Sequence, residues 1–140
     1  MRVMLMIKGD REPGHLPGEG FLAAMAAYNE ELTKAGVLVD LAALRWSAEG
    51  VRVSFSGGTR SVVAGPFGEP TRTVAGYWIL QVKSMDEAVE WAKRLPFEAG
   101  GEPEAEGEVE IRRLFELEDF GESPAVDQAR GLEEGLEHED

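Results

Sequence analysis

Apolar residues occupy both parities of the first eight positions, with Val3, Leu5 and Ile7 on one and Met4 and Met6 on the other. A strand apolar on both faces is an interior strand covered above and below. After a loop holding Pro13, Gly14, Pro17 and Gly18, the residues Phe21, Met25, Tyr28 and Leu32 recur at spacings of one helical face, and Gly36 stands where a helix ends. Residues 37–44 read as a mostly apolar strand, and residues 51–55 alternate cleanly as a half-exposed one. Gly57-Gly58 predicts a two-residue hairpin turn, with Val53 opposite Val62 and Val51, Phe55 and Ala64 on the same face. Gly65-Pro66 ends that hairpin, because proline cannot donate to a ladder.

Residues 77–82 are again apolar on both parities and predict a second interior strand. Ser84 and Glu87 form a capping-box pattern opening a helix that turns Met85, Ala88, Val89, Ala92 and Leu95 inward, closed by Pro96. Residues 109–115 supply the last strand. The order β-α-β-β-β-β-α-β predicts an α+β fold: a ferredoxin-like sheet with two helices on one face and an inserted β-hairpin. Two helices cover one face only. Met4, Met6 and alternate residues of 77–82 point to the other, where each large apolar side chain is worth about 1.5–3 kcal/mol when buried. The pattern offers no third strong helix, so a second copy packed sheet to sheet is the economical cover, giving a homodimer. The alternative is the C-terminal tail folded back as a lid.

Composition narrows the chemistry. The 140 residues make one domain over 1–120, followed by an acidic tail over 121–140. Twelve acidic and eleven basic side chains balance over residues 1–99, whereas residues 100–140 hold fifteen acidic and three basic ones. Few large apolar residues in the tail (Val126, Leu132, Leu136) leave disorder or a loosely held helix. The stretch 98–107 reads as a Gly- and acid-rich loop. A net charge of −13 argues against a nucleic-acid surface. With no cysteine and two histidines, His15 and His138, the chain has no thiolate nucleophile, disulfide or His-rich metal centre, and no motif asks for a cofactor. The apolar start is too short for a signal peptide and no stretch approaches a membrane span, so the expected location is cytoplasmic, away from membranes.

Several segments then occur together in one order: Met4-Leu-Met-Ile-Lys8, Tyr28-Asn-Glu-Glu-Leu32, Gly65-Pro-Phe67, Gly76-Tyr-Trp-Ile79, the run from Gln81 to Lys93, Glu108-Val-Glu-Ile-Arg112 and Phe115-Glu-Leu-Glu-Asp-Phe120. Over residues 2–120 this resembles the YCII-related, or DGPF-domain, family. The resemblance implies a dimeric ferredoxin-like α/β barrel of undefined chemistry. A related branch pairs a histidine in the first helix with an aspartate in a cleft. The matching stretch Gly20-Phe-Leu-Ala-Ala24 holds no histidine, and His15 lies earlier, in the loop. The signature aspartate before Gly-Pro-Phe is Ala64 here, an acidic position after the second strand is Ala42, and the stretch after the signature is Glu69-Pro-Thr-Arg72. Some relatives are encoded beside extracytoplasmic-function sigma factors, which implies a regulatory or stress-signalling setting.

Candidate site residues follow from both readings. Asp40 stands in an apolar strand, where it either faces inward, with a raised pKa suited to acid–base work, or turns to solvent at a strand end. His15 is a second catalytic candidate. Gly65, Pro66 and Phe67 form either a rigid turn or the mouth of a pocket. Glu69 and Arg72 are placed to orient an ionised ligand, and Trp46 to wall the pocket. These residues frame two hypotheses: a small-molecule-binding protein or cofactor-free proton-transfer, isomerase or lyase enzyme, and a non-catalytic regulatory or interaction domain.

Overall fold

The structure, a computed structural model, describes residues 1–100 and 107–137. His138 and most of the 98–107 loop therefore lie outside the described residues. Six strands and three α-helices follow in chain order: β1 (Arg2–Lys8), α1 (Glu19–Lys34), β2 (Leu38–Ala43), β3 (Val51–Ser56), β4 (Thr59–Ala64), β5 (Val74–Gln81), α2 (Met85–Lys93), β6 (Val109–Arg113) and α3 (Pro124–Glu137). Four strands form one antiparallel sheet in the order β2-β5-β1-β6. This is the strand order of a ferredoxin-like α+β fold, with β1 and β5 as the interior strands that their double-sided apolar pattern requires.

Register divides the sheet into two unlike faces. Val3 lies opposite Leu80 and Leu5 opposite Trp78, and these four side chains are buried beneath Tyr28 and Leu32 of α1 and Ala88 of α2. Tyr28 donates its hydroxyl to the Trp91 carbonyl at 2.7 Å, and the Trp78 indole donates to Asn29 Oδ1 at 2.8 Å, so the aromatic core leaves no polar edge unpaired. Burial among these rings pushes the Tyr28 phenol up to about 12. On the other face Met4 lies opposite Ile79 and Met6 opposite Tyr77, and all four are only half-buried.

The predicted hairpin forms as its own two-stranded sheet, with Val53 opposite Val62 and Val51 opposite Ala64. Gly57 and Gly58 take the positive φ values of 54° and 80° that its turn demands. Both strands are exposed along their whole length. At α2, the Ser84 hydroxyl accepts the Glu87 amide as expected, but the Glu87 carboxylate accepts from Lys83, one residue before the cap. Met85 proves exposed rather than inward, since the first turn of α2 overhangs the sheet.

Of the two states expected for the tail, the described residues take the helix, α3. Ser123 caps α3 by accepting the Val126 amide, and Pro124 occupies the first helical position, where its missing N–H costs nothing. Only Val126 of α3 is buried; Leu132 and Leu136 stay 66% and 69% exposed, so the helix is not a closed lid over the second face. Among the described residues, no helix is long and apolar enough to cross a membrane.

Candidate functional site

Polar side chains converge at one place, the end of the sheet where β1 stops and the hairpin begins. Asp10, two residues past β1, accepts the Ser47 amide through Oδ1 at 3.0 Å and the Ser47 hydroxyl through Oδ2. Ser47 is the buried polar residue of the described chain, and its Oγ in turn accepts the Phe67 amide at 3.2 Å. Its carbonyl accepts from Gly50 at 2.8 Å, and Gly50 accepts from Gly65 at 2.8 Å. The carboxylate thus ties three loops together, those after β1, after β2 and after β4.

Gly65 is required by this packing. A Cβ there would lie 1.8 Å from the Ser47 carbonyl oxygen, inside any tolerable contact. The Gly65–Pro66 peptide is cis, and Phe67 turns back against Gly50 and under the Arg52 guanidinium, 3.9 Å from the ring centre. The signature turn therefore locks the base of the hairpin and leaves Pro66 exposed.

The hydrogen bonds from Ser47 favour the charged form of Asp10 and hold its carboxyl below the ordinary 3.8. Such a group is a weak base and already has its donors, so it serves the fold rather than proton transfer. A carboxylate depressed in the folded state contributes stability that is complete above its unfolded pKa and disappears as pH falls through the folded value. Asp10→Asn is expected to cost about 1–2 kcal/mol at pH 7, because one of the two donors on Ser47 loses its acceptor. The gap from wild type should narrow below pH 3.8. Urea denaturation across pH 2.5–7 checks this, and a gap that stays constant or widens in acid contradicts it.

Of the residues selected from sequence, His15 and Trp46 are in contact and Gly65 and Phe67 pack on the adjoining Ser47 turn, whereas Asp40 and the Glu69–Arg72 pair bond only to near neighbours in the chain. Asp40 is exposed on the second face of the sheet, opposite Ile79, and its Oδ1 accepts the neighbouring Leu41 amide at 2.8 Å. The inward placement with a desolvated carboxyl is therefore not the one adopted; β2 is an edge strand with a register irregularity after Leu38, which turns Asp40 outward. His15 has an exposed ring, and its backbone carbonyl accepts the Trp46 indole at 3.2 Å, so Trp46 braces the loop. Glu69 and Arg72 are both exposed and face each other at 3.7 Å, a surface pair worth little.

Asp10 and Ser47 were the residues that sequence reasoning passed over. A short acceptor at a strand end, and a serine ahead of the helical turn Ser47–Glu49, were the available signals. Among the described residues no three His, Asp or Glu side chains gather in a metal-binding group. An open acidic groove of about 240 Å³ lies between α3 and the turn before it, lined by Glu116, Arg130 and Glu133 among others.

Comparison with curated proteins gives no match. A family model described as the YCII-related domain matches residues 1–118, which take in the whole four-stranded sheet, both packed helices and the signature turn. The chain belongs to the YCII-related family.

Proposed function

We propose that this YCII-related domain is a non-catalytic interaction module that works as a homodimer, two copies closing over the second faces of their sheets. The observation that carries the reading is the contrast between polar and apolar surface. The polar cluster of Asp10 with Ser47 and the Phe67 amide spends its hydrogen bonds internally, whereas apolar side chains stand uncovered on the sheet and hairpin. Alanine at positions 42 and 64, where the family resemblance implies carboxylates, fits the same reading.

A second reading rests on Asp40. It shares the second face with Met4, Tyr77 and Ile79, so a twin molecule would enclose it with apolar neighbours, and a small molecule held there would meet one carboxylate per copy. Thermal unfolding separates the two. For a dimer the unfolding temperature rises with protein concentration, because association stabilises the folded chain by mass action. The interaction reading expects that rise, together with no metabolite-induced shift that Asp40→Ala or Glu69→Ala abolishes. A ligand-induced shift lost in Asp40→Ala overturns it in favour of the second reading, and an unfolding temperature independent of concentration overturns the dimer.

A further inference from the structure

The β3–β4 hairpin presents one apolar face with nothing on it. Val51, Val53, Phe55 and Val62 are 62%, 49%, 71% and 68% exposed and share that face by register. Together they make a contiguous exposed apolar patch, and such patches commonly mark contact surfaces. The opposite hairpin face is polar apart from Val63, carrying Ser54, Ser56, Thr59 and Ser61. The hairpin holds no acidic residue; Arg60 stands on the Val/Phe face opposite Phe55, whereas Arg52 is on the other face, over Phe67.

A complementary surface occurs elsewhere on the same chain. Phe115 and Phe120 stack with ring centres 4.8 Å apart while remaining 70% and 60% exposed. Leu132 and Leu136 of α3 are exposed as well. Around them residues 115–137 carry eight acidic side chains against the single cation Arg130. One surface is apolar and basic, the other apolar and acidic.

The two surfaces are anchored at opposite ends of β1. The hairpin base is fixed by Asp10, just past the C-terminal end of β1. The aromatic and acidic surface sits at the other end of that strand, where Arg2 pairs with Glu116 at 2.9 Å and Arg113 lies opposite Val3. Seven strand residues separate the ends, roughly 20 Å. When two sheets face each other about a twofold axis that crosses their strands, the hairpin end of each copy lies over the opposite end of the other.

We infer that the hairpin is an arm that clasps a second copy of this chain, its Val/Phe face seated on the partner copy's Phe115–Phe120 and α3 surface and Arg60, on that same face, meeting that surface's carboxylates. The inference rests on the proposed dimer and specifies a contact that the dimer alone does not require. A stable association takes about 800 Å² per partner, and two arms would add to the sheet contact symmetrically.

Because the chain has no cysteine, introduced thiols are unique. Val62→Cys and Leu132→Cys proteins, mixed and treated with a short bis-maleimide, are expected to give a crosslinked heterodimer well in excess of either homodimer. Phe55→Ser combined with Arg60→Glu should raise the dimer dissociation constant at least tenfold while leaving the unfolding of the dilute, monomeric protein unchanged, since both side chains are exposed. Crosslinking only between two Val62→Cys chains, or none despite a stable dimer that Ile79→Glu disrupts, overturns the arm and leaves the dimer standing. A wild-type chain that remains single overturns both.

Discussion

Alanine in place of Gly65 is expected to cost about 4 kcal/mol, beyond the range of ordinary surface substitutions. The added methyl would lie 1.8 Å from the Ser47 carbonyl oxygen and 2.7 Å from its carbon, both backbone atoms, so no rotamer change relieves the clash. The turn Ser47–Glu49 must move, and with it go the Gly65-to-Gly50 hydrogen bond, the two bonds from Ser47 to Asp10 and the seat of Phe67. Amide hydrogen exchange should show Ser47, Gly50 and Phe67 losing protection, while Leu5 and Leu80 in the sheet keep much of theirs. Gly18→Ala serves as the control, because a side chain there meets nothing within 4 Å. Near-wild-type stability of Gly65→Ala would contradict the tie between the signature turn and the loop cluster.

Ile79→Glu is expected to split the dimer, raising its dissociation constant by about 1,000-fold, or about 4 kcal/mol. Ile79 lies at the middle of the second face between Met4 and Asp40. In a lone chain a half-buried glutamate reaches water at modest cost, although the Asp40 carboxylate beside it is a like charge. In the closed dimer the same substitution occurs twice and neither carboxylate has a cation opposite it in register, so the desolvation cost doubles. Ile79→Leu, which conserves volume, should leave association intact. Light scattering after size exclusion reads both variants, and a dimeric, folded Ile79→Glu protein would contradict the placement of the interface on this face.

The sheet was legible because its signals are local and periodic. Double-sided apolar runs located β1 and β5, and Gly57-Gly58 fixed a hairpin register that puts Val53 against Val62. The Ser84 cap likewise began α2 where its side chain meets the Glu87 amide. What escaped was non-local or compositionally masked. Asp10 and Ser47 are thirty-seven positions apart, and no spacing rule joins two loops that meet only after β1 and β2 are placed. Asp40 shares the parity of Leu38, but the register irregularity between them moves it to the other face of an edge strand, where it and its neighbours are exposed. In α3, Gly131 and Gly135 lower helix propensity and few large apolar residues mark a buried stripe, which masked the start signal of Ser123 and Pro124. The candidate site suffered most from this limit: each residue type was readable, whereas convergence is a property of the folded chain.

Sedimentation equilibrium of the wild-type protein at micromolar concentration tests the central claim most directly. A second sheet face bearing half-buried Met4, Met6, Tyr77 and Ile79, beside a hairpin exposed along both strands, predicts a particle of twice 15.3 kDa. A single species of 15.3 kDa that persists as concentration rises would contradict it.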